Sequence, residues 1–317
     1  MLELPKSIRI AEVGPRDGLQ GFARWVETED KVRIIDRLSE TGLPIIEVSS
    51  FASPKVVPFL QDAEEVFSRI ARKPGVVYRG LVPNARGAER AARARVGEML
   101  GLLTVSATYT RKNQNMDMQQ VVEQALLSFR VAEQAGIPFV MALGMAFWCA
   151  YEGLIPEDDV IGIVERLHAG GIRRYYLAGS LGMEDPAHVN RLFRRLMERF
   201  PDAQFGYHVH NLSGMATANV LAALDAGVTW LESAICGIGG GIAMPSALGA
   251  IGNFPTEDLA GMLAEMQVAT GVDPDDIIAA SVEIAGILGI DPRSHRANGA
   301  TRQQVMQSSR LGANVYS

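Results

Sequence analysis

The chain has 317 residues, 48% of them hydrophobic and 21% charged, which excludes a disordered polymer and leaves room for two ordinary domains or one α/β barrel. A net charge of −6 argues against a nucleic-acid-binding surface, although a local basic site for an anionic substrate remains compatible with it. Two cysteines, Cys149 and Cys236, are too few for a disulfide scaffold, so a reducing cytoplasm is expected.

The N-terminus is charged early and lacks the long apolar core of an export signal. Short apolar runs then alternate with helix-patterned stretches. Strands are expected at Ile8–Val13, Ile45–Ser49, Val76–Leu81, Met99–Val105, Phe139–Leu143, Tyr175–Ala178, Gln204–His208 and Trp230–Ser233. Helices are expected between them at Asp30–Thr41, Asp62–Ala71, Ala85–Arg95, Asp117–Ala135, Pro156–Ala169, Pro186–Arg199, Gly214–Ala226 and Glu257–Ala269. Many of these end at a glycine, the usual C-terminal stop. The apolar stretch from Gly136 to Ile155 holds four residues foreign to a membrane span, Pro138, Gly144, Glu152 and Gly153, and reads as a buried strand plus a loop.

Eight strands buried on both faces and alternating with helices predict an α/β fold, a closed (β/α)8 barrel (TIM barrel) over residues 1–272. An open doubly wound sheet is the competing arrangement. No Gly-x-Gly-x-x-Gly follows the first strand, so a dinucleotide site has no support. Residues 273–317 are helical in pattern and fit no ninth unit. They read as a short C-terminal extension packed on the barrel or on a partner subunit.

In such a barrel the chemistry sits at the C-terminal ends of the strands. Arg16 and Asp17 follow the first strand, Glu47 lies within the second, His208 and His210 end the seventh, and Asn253 follows the glycine-rich loop after the eighth. His208 and His210, two apart on a strand, project to one face and are able to share a metal ion, or each is satisfied independently. Oxygen donors from Asp17 and the Asn253 amide would make a mixed N/O site suited to Mg²⁺ or Mn²⁺ rather than Zn²⁺. Arg16 is either half of a solvated ion pair or a stabiliser of an oxyanion beside that metal. Glu47 is either its partner or part of a structural ion pair.

The motifs Glu12-Val-Gly-Pro-Arg-Asp-Gly-Leu-Gln20, Ser50-Phe-Ala-Ser-Pro-Lys55, Arg111-Lys-Asn113, Tyr151-Glu-Gly153, His208-Val-His210 and Gly252-Asn253 with Thr256-Glu-Asp258 occur in this order between residues 8 and 260. In these the chain resembles the 3-hydroxy-3-methylglutaryl-CoA (HMG-CoA) lyase branch of the metal-dependent pyruvate-carboxyltransferase-like barrels. The resemblance implies a divalent metal on Asp17, His208, His210 and Asn253, Arg16 at the reacting carbonyl oxygen, and Glu47 and Glu257 in support. It makes His208 a candidate proton shuttle as well as a ligand. It implies a carbon–carbon lyase of retro-Claisen or retro-aldol type. Its small-molecule substrate would be a 3-hydroxyacyl-CoA or a hydroxy acid, with no nucleic acid or membrane partner and a homo-oligomeric state. Lys55, Arg111 and Lys112 would meet the phosphates of a CoA tail or be merely solvated. A condensing synthase or carboxyl transferase of the same superfamily, and a barrel that has lost its chemistry, are the alternatives.

The chain also departs from that branch. Gly241 stands where the lyases carry a catalytic Cys, and the stretch from there to Asn253 is longer. Ala178-Gly179-Ser180 replaces a Gly-Asp-Thr motif, and Asn211 replaces an Asp after the histidine pair. Cys236 is either a relocated proton donor or a small core residue. These departures lead to the expectation of a substrate related to, but distinct from, HMG-CoA.

Overall fold

The computed structural model describes residues 3–240 and 252–310. Eight parallel strands close a barrel: β1 (Arg9–Glu12), β2 (Ile45–Ser50), β3 (Val77–Val82), β4 (Glu98–Thr104), β5 (Phe139–Gly144), β6 (Arg174–Ala178), β7 (Gln204–His208) and β8 (Trp230–Ser233). β1 pairs with both β2 and β8, so the sheet has no free edge. All eight expected strands are present, with no end shifted by more than one residue. The open-sheet alternative is thereby set aside.

The helices are α1 (Thr28–Glu40), α2 (Ala63–Arg69), α3 (Ala85–Arg93), α4 (Ala107–Gln114), α5 (Met118–Gln134), α6 (Glu157–Ala169), α7 (Pro186–Arg199), α8 (Ala216–Ala226) and α9 (Thr256–Glu265), followed by α10 (Pro274–Leu288), α11 (His295–Asn298) and α12 (Arg302–Arg310). Local chemistry starts several of them. Asp117 and Gln120 form a reciprocal capping box on α5, and Asp273 accepts the amides of Asp275 and Asp276 ahead of Pro274 on α10. Gly227 ends α8 at φ +102°, a conformation that favours glycine. α4 was not expected from the sequence, because Ala107–Gln114 is almost wholly polar and shows no apolar stripe. After β5 a small hairpin pairs Trp148–Cys149 with Gly153–Leu154, which completes the strand-plus-loop expected there. Among the described residues, no helix is long and apolar enough to cross a membrane.

Two apolar cores hold this arrangement. The larger lies between the strands and the outer helices, and α10 joins it through Ile277, Ala280, Ile284, Ala285 and Leu288. The smaller fills the barrel with Ala11, Ile45, Leu81, Leu100, Val140, Ala142, Tyr176, Ala178 and Trp230. Trp230 takes the room left by Gly206, where any side chain would overlap the indole. Beside it lies an ionic layer. Arg79, wholly buried, donates through Nε to Glu98 (2.8 Å) and through Nη1 to Glu232 (2.6 Å), and Glu98 accepts Arg174 as well (2.5 Å). Such a layer is costly unless every charge is paired.

Candidate metal centre

The turn after β1 delivers the first two site residues. The amides of Arg16 and Asp17 return to the Val13 carbonyl at 3.1 and 2.7 Å, and residues 14–18 are all buried. Glu12, at the end of β1, fixes this turn against the segments that follow the neighbouring strand β8. Its carboxylate accepts the amides of Gly14 (2.7 Å) and Ile235 (2.9 Å) and the Thr256 hydroxyl (2.5 Å). Arg16 and Asp17 are thus locked to the start of the loop after β8.

At the barrel mouth Arg16 donates through Nε to Glu47 and through Nη1 to Asp17 Oδ1 at 2.8 Å. Asp17 Oδ1 also accepts Gln20 Nε2 at 2.7 Å, and its Oδ2 accepts Asn253 Nδ2 at 2.7 Å. His210 Nε2 lies 3.8 Å from Asp17 Oδ2. One ligand atom each from Asp17, His208 and His210 falls within 4.8 Å of the other two, so the three buried side chains are able to hold one ion. Each histidine turns Nδ1 away from this cluster, His208 to Glu232 Oε2 (3.2 Å) and His210 to the Gly179 carbonyl (3.2 Å). Tyr176 stacks on His208 with 5.5 Å between ring centroids.

Burial alone would discharge Arg16, but the carboxylates of Glu47 and Asp17 outweigh it and raise its pKa above the ordinary value. Burial likewise opposes charge on Asp17, and Arg16 with the two histidines overrides it, holding the carboxyl well below the usual range. Glu47 moves the other way: burial wins over Arg16 and pushes its pKa up.

The donor set fits a divalent cation. His210 Nε2 and the Asn253 amide oxygen are buried with no hydrogen-bond partner among the described residues, which is costly unless something else satisfies them. Gly239 keeps the place open, since a Cβ there would overlap the Asn253 amide and come within 2.9 Å of Asp17 Oδ2. Carboxylate, imidazole and amide donors together match Mg²⁺ or Mn²⁺ chemistry.

Above the cluster opens a cavity of about 330 Å³ lined by Arg16, Asp17, His208 and His210 below and by Leu81, Leu102, Val57 and Met145 on its walls. Tyr109 and Gln114 of α4 reach its rim, and Lys112 lies over the Tyr151 ring at 5.2 Å.

Glu257 is not part of this gathering. It starts α9, where its carboxylate accepts the amide of Cys236 at 3.2 Å. Cys236, at φ +60°, sends its thiol toward the Ser281 carbonyl on α10 (3.2 Å), and burial pushes that thiol's pKa up. A core thiol, not a proton donor at the cavity, is what this geometry describes. Gly241 and the stretch up to Ile251 lie outside the described residues. Two participants escaped the sequence reading. Glu232 and Arg79 each break an apolar strand, a signal of buried pairing, but nothing local says that their partners are His208 and Glu98.

Comparison with known proteins decides the family. Residues 7–284 match the HMGL-like family model. The chain belongs to the HMGL-like family. It is 38% identical over 285 residues to hydroxymethylglutaryl-CoA lyase YngG of Bacillus subtilis, covering 90% of this chain and 94% of that protein. A crystal structure of an HMG-CoA lyase from Bacillus subtilis superposes with a TM-score of 0.89 at 36% identity, covering 96% of this chain and all of that one. An HMG-CoA lyase from Acinetobacter baumannii, solved in complex with coenzyme A and 3-methylmalate, gives a TM-score of 0.87 at 36% identity over 95% of this chain and 98% of that one. Like these HMGL-like relatives, the chain is an enzyme of the carbon–carbon lyase type, which sets aside a barrel without chemistry.

Proposed function

We propose that the chain is a divalent-metal-dependent lyase that cleaves a carbon–carbon bond of a 3-hydroxyacyl-CoA, or of a related hydroxy acid, by retro-Claisen or retro-aldol chemistry. The observation that carries this is the convergence of Asp17, His208 and His210 beside a charged arginine at the floor of a largely apolar cavity. Asp17, His208, His210 and Asn253 would hold Mg²⁺ or Mn²⁺, and the ion, when bound, would acidify the substrate hydroxyl and polarise its oxygens.

The side chains then have separable tasks. Arg16 commits Nε and Nη1 to Glu47 and Asp17, and no described residue takes Nη2. Lining the cavity with that donor uncommitted, Arg16 is placed to hold the oxygen on which negative charge gathers as the bond breaks. Glu47 keeps the guanidinium in register, and Glu257 acts at one remove, through the backbone of the loop after β8. His208, pinned at Nδ1, presents Nε2, whose single lone pair would either ligate the ion or, released from it, carry a proton. The apolar walls exclude water from the enolate fragment until it is protonated.

A cavity of about 330 Å³ is at the small end for a ligand site, enough for an acyl group while a CoA tail would extend past its rim near Tyr109, Gln114 and Lys112. Gly241 brings no proton donor where the resemblance implies a thiol, so we assign a substrate other than HMG-CoA as the preferred one. With both thiols free and buried, a reducing cytoplasm is the compartment we assign, with a homo-oligomer as the assembly and residues 273–317 as an extension of the 1–272 barrel.

The test is incubation of Mg²⁺- or Mn²⁺-loaded protein with a panel of 3-hydroxyacyl-CoAs and 2-hydroxy diacids, with product detection by mass spectrometry and a chelated control. Cleavage lost on chelation supports the proposal. Metal bound without cleavage of any candidate overturns it.

A further inference from the structure

Gly179 directly follows β6, between two residues, Ala178 and Ser180, that line the cavity. Its backbone serves both histidines: its amide donates to the His208 carbonyl at 3.0 Å, and its carbonyl receives His210 Nδ1 at 3.2 Å. The space where a side chain at 179 would project is filled. A Cβ built there would overlap Glu184 Oε1 and lie 3.0 Å from Oε2. Glu184 comes from the loop after β6, five residues downstream, and is 0% exposed.

The Glu184 carboxylate has little reason to be there on packing grounds alone. Burying a carboxyl group is costly unless its oxygens are satisfied. Oε1 accepts the Tyr207 hydroxyl at 2.5 Å, while Oε2 has no partner among the described residues. Its position is nevertheless tightly fixed. Asn219 Nδ2 holds the Glu184 carbonyl at 2.9 Å, and the Gly182 amide returns to the Gly179 carbonyl at 2.8 Å to close the turn between them. Tyr207 in turn precedes His208 on β7 and is clamped edge-on between Phe147 and Phe193.

We propose that Glu184 is a positioning residue of the metal centre: its carboxylate occupies the side-chain space of position 179 and, through Gly179 on one side and Tyr207 on the other, fixes the rings of His210 and His208. This rests on the metal-dependent reading above. The absence of a carboxylate at 179 in this chain is then compensated in space by one reaching back from 184. The two positions form a matched pair: glycine at 179 is required by glutamate at 184.

The test uses the full chain. Glu184→Gln keeps the shape and removes the charge. It should weaken Mn²⁺ binding, read by calorimetry, by about 10–100-fold, the usual range for groups that orient a metal ligand. It should also broaden or shift the His210 Nδ1–H signal in ¹⁵N-labelled, metal-free protein. Gly179→Asp alone puts two carboxylates in one space and should lose Mn²⁺ binding, as should Glu184→Gly alone. The double variant G179D/E184G should recover most of the loss, and that recovery still decides the matter where a single variant does not fold. Mn²⁺ affinity and a His210 signal in E184Q both equal to wild type would overturn the proposal, as would a double variant no better than the worse single. Failure of the wild-type chain to bind Mn²⁺ would instead overturn the metal-dependent reading, and the His210 signal would still judge Glu184.

Discussion

His208 points Nδ1 at Glu232 Oε2, 3.2 Å away, and Glu232 is itself held by Arg79 at 2.6 Å and by the Trp230 indole at 3.0 Å. A carboxylate on Nδ1 makes that nitrogen the donor and leaves Nε2 as the free lone pair, the form a metal needs. Burial resists charge on Glu232, but Arg79 and His208 override it and keep the pKa low. Glu232→Gln should therefore weaken Mn²⁺ binding by about 10–100-fold, with Glu232→Asp between the two. Calorimetric titration checks it, and wild-type affinity in the glutamine variant would reduce the contact to packing.

Arg16→Met keeps much of the side-chain length and removes the charge. Loss of one oxyanion donor typically costs about 10²–10³ in rate, so kcat on whichever substrate is cleaved should fall in that range. Metal content, read by elemental analysis, should stay near wild type because Arg16 is not a ligand. The variant should also melt earlier, since Glu47 is left buried without its cation. Undiminished turnover would make Arg16 a structural ion pair only.

Glu257 gives a stability signature with a definite sign. Burial raises its pKa to about 8, helped by the nearby negative charges of Glu12 and Asp258, and two backbone amides, its own and that of Cys236, only partly oppose this. The native state thus holds this proton more tightly than the unfolded chain, whose glutamates titrate near about 4.3. Between those two values stability falls as pH rises, by at most about 1.4 kcal/mol per pH unit for one group. Glu12, raised to about 7, adds a contribution of the same sign. Melting temperatures measured from about pH 5 to about pH 8 should decline more steeply in wild type than in Glu257→Gln. Parallel curves would show that Glu257 titrates alike in both states.

The thiols lead to a prediction about substrate. Cys236→Ser should leave kcat unchanged, because the sulfur faces Ser281 and not the cavity. Against HMG-CoA the wild-type chain should be slower than a lyase carrying a thiol at the Gly241 position, by about 10²–10⁴, the usual contribution of a general acid. Steady-state comparison of HMG-CoA with other 3-hydroxyacyl-CoAs checks both. Efficient HMG-CoA cleavage, with Cys236→Ser inactive, would reverse the assignment of each group.

The barrel was legible because its signals are local: an apolar run of four to seven residues, a helix, a glycine. Polar residues at strand ends were legible for the same reason, which is why Arg16, Asp17, His208, His210 and Asn253 could be named together before their convergence was visible. Glu232 and Arg79 could be seen as charges in apolar strands, but their pairing spans 153 positions and depends on barrel closure. Glu184 gave no warning, since Met183-Glu184-Asp185-Pro186 reads as the approach to a helix, and only the vacancy at Gly179 explains where its carboxylate goes. α4 was missed because its polar sequence has no stripe to betray it; the helix is held at its start by Ser106, whose hydroxyl accepts the Tyr109 amide at 3.0 Å.

The Trp230 indole and the Arg79–Glu98–Glu232 layer stop the barrel from below. Among the described residues the cavity is thus closed on that side, and in the proposed cleavage traffic through its mouth would queue. Of the two fragments left by a cleavage, the one nearer the mouth has to depart before the one lodged against Asp17 and the histidines. Release would then be ordered by depth, and the deeper fragment, added alone, should compete directly with incoming substrate.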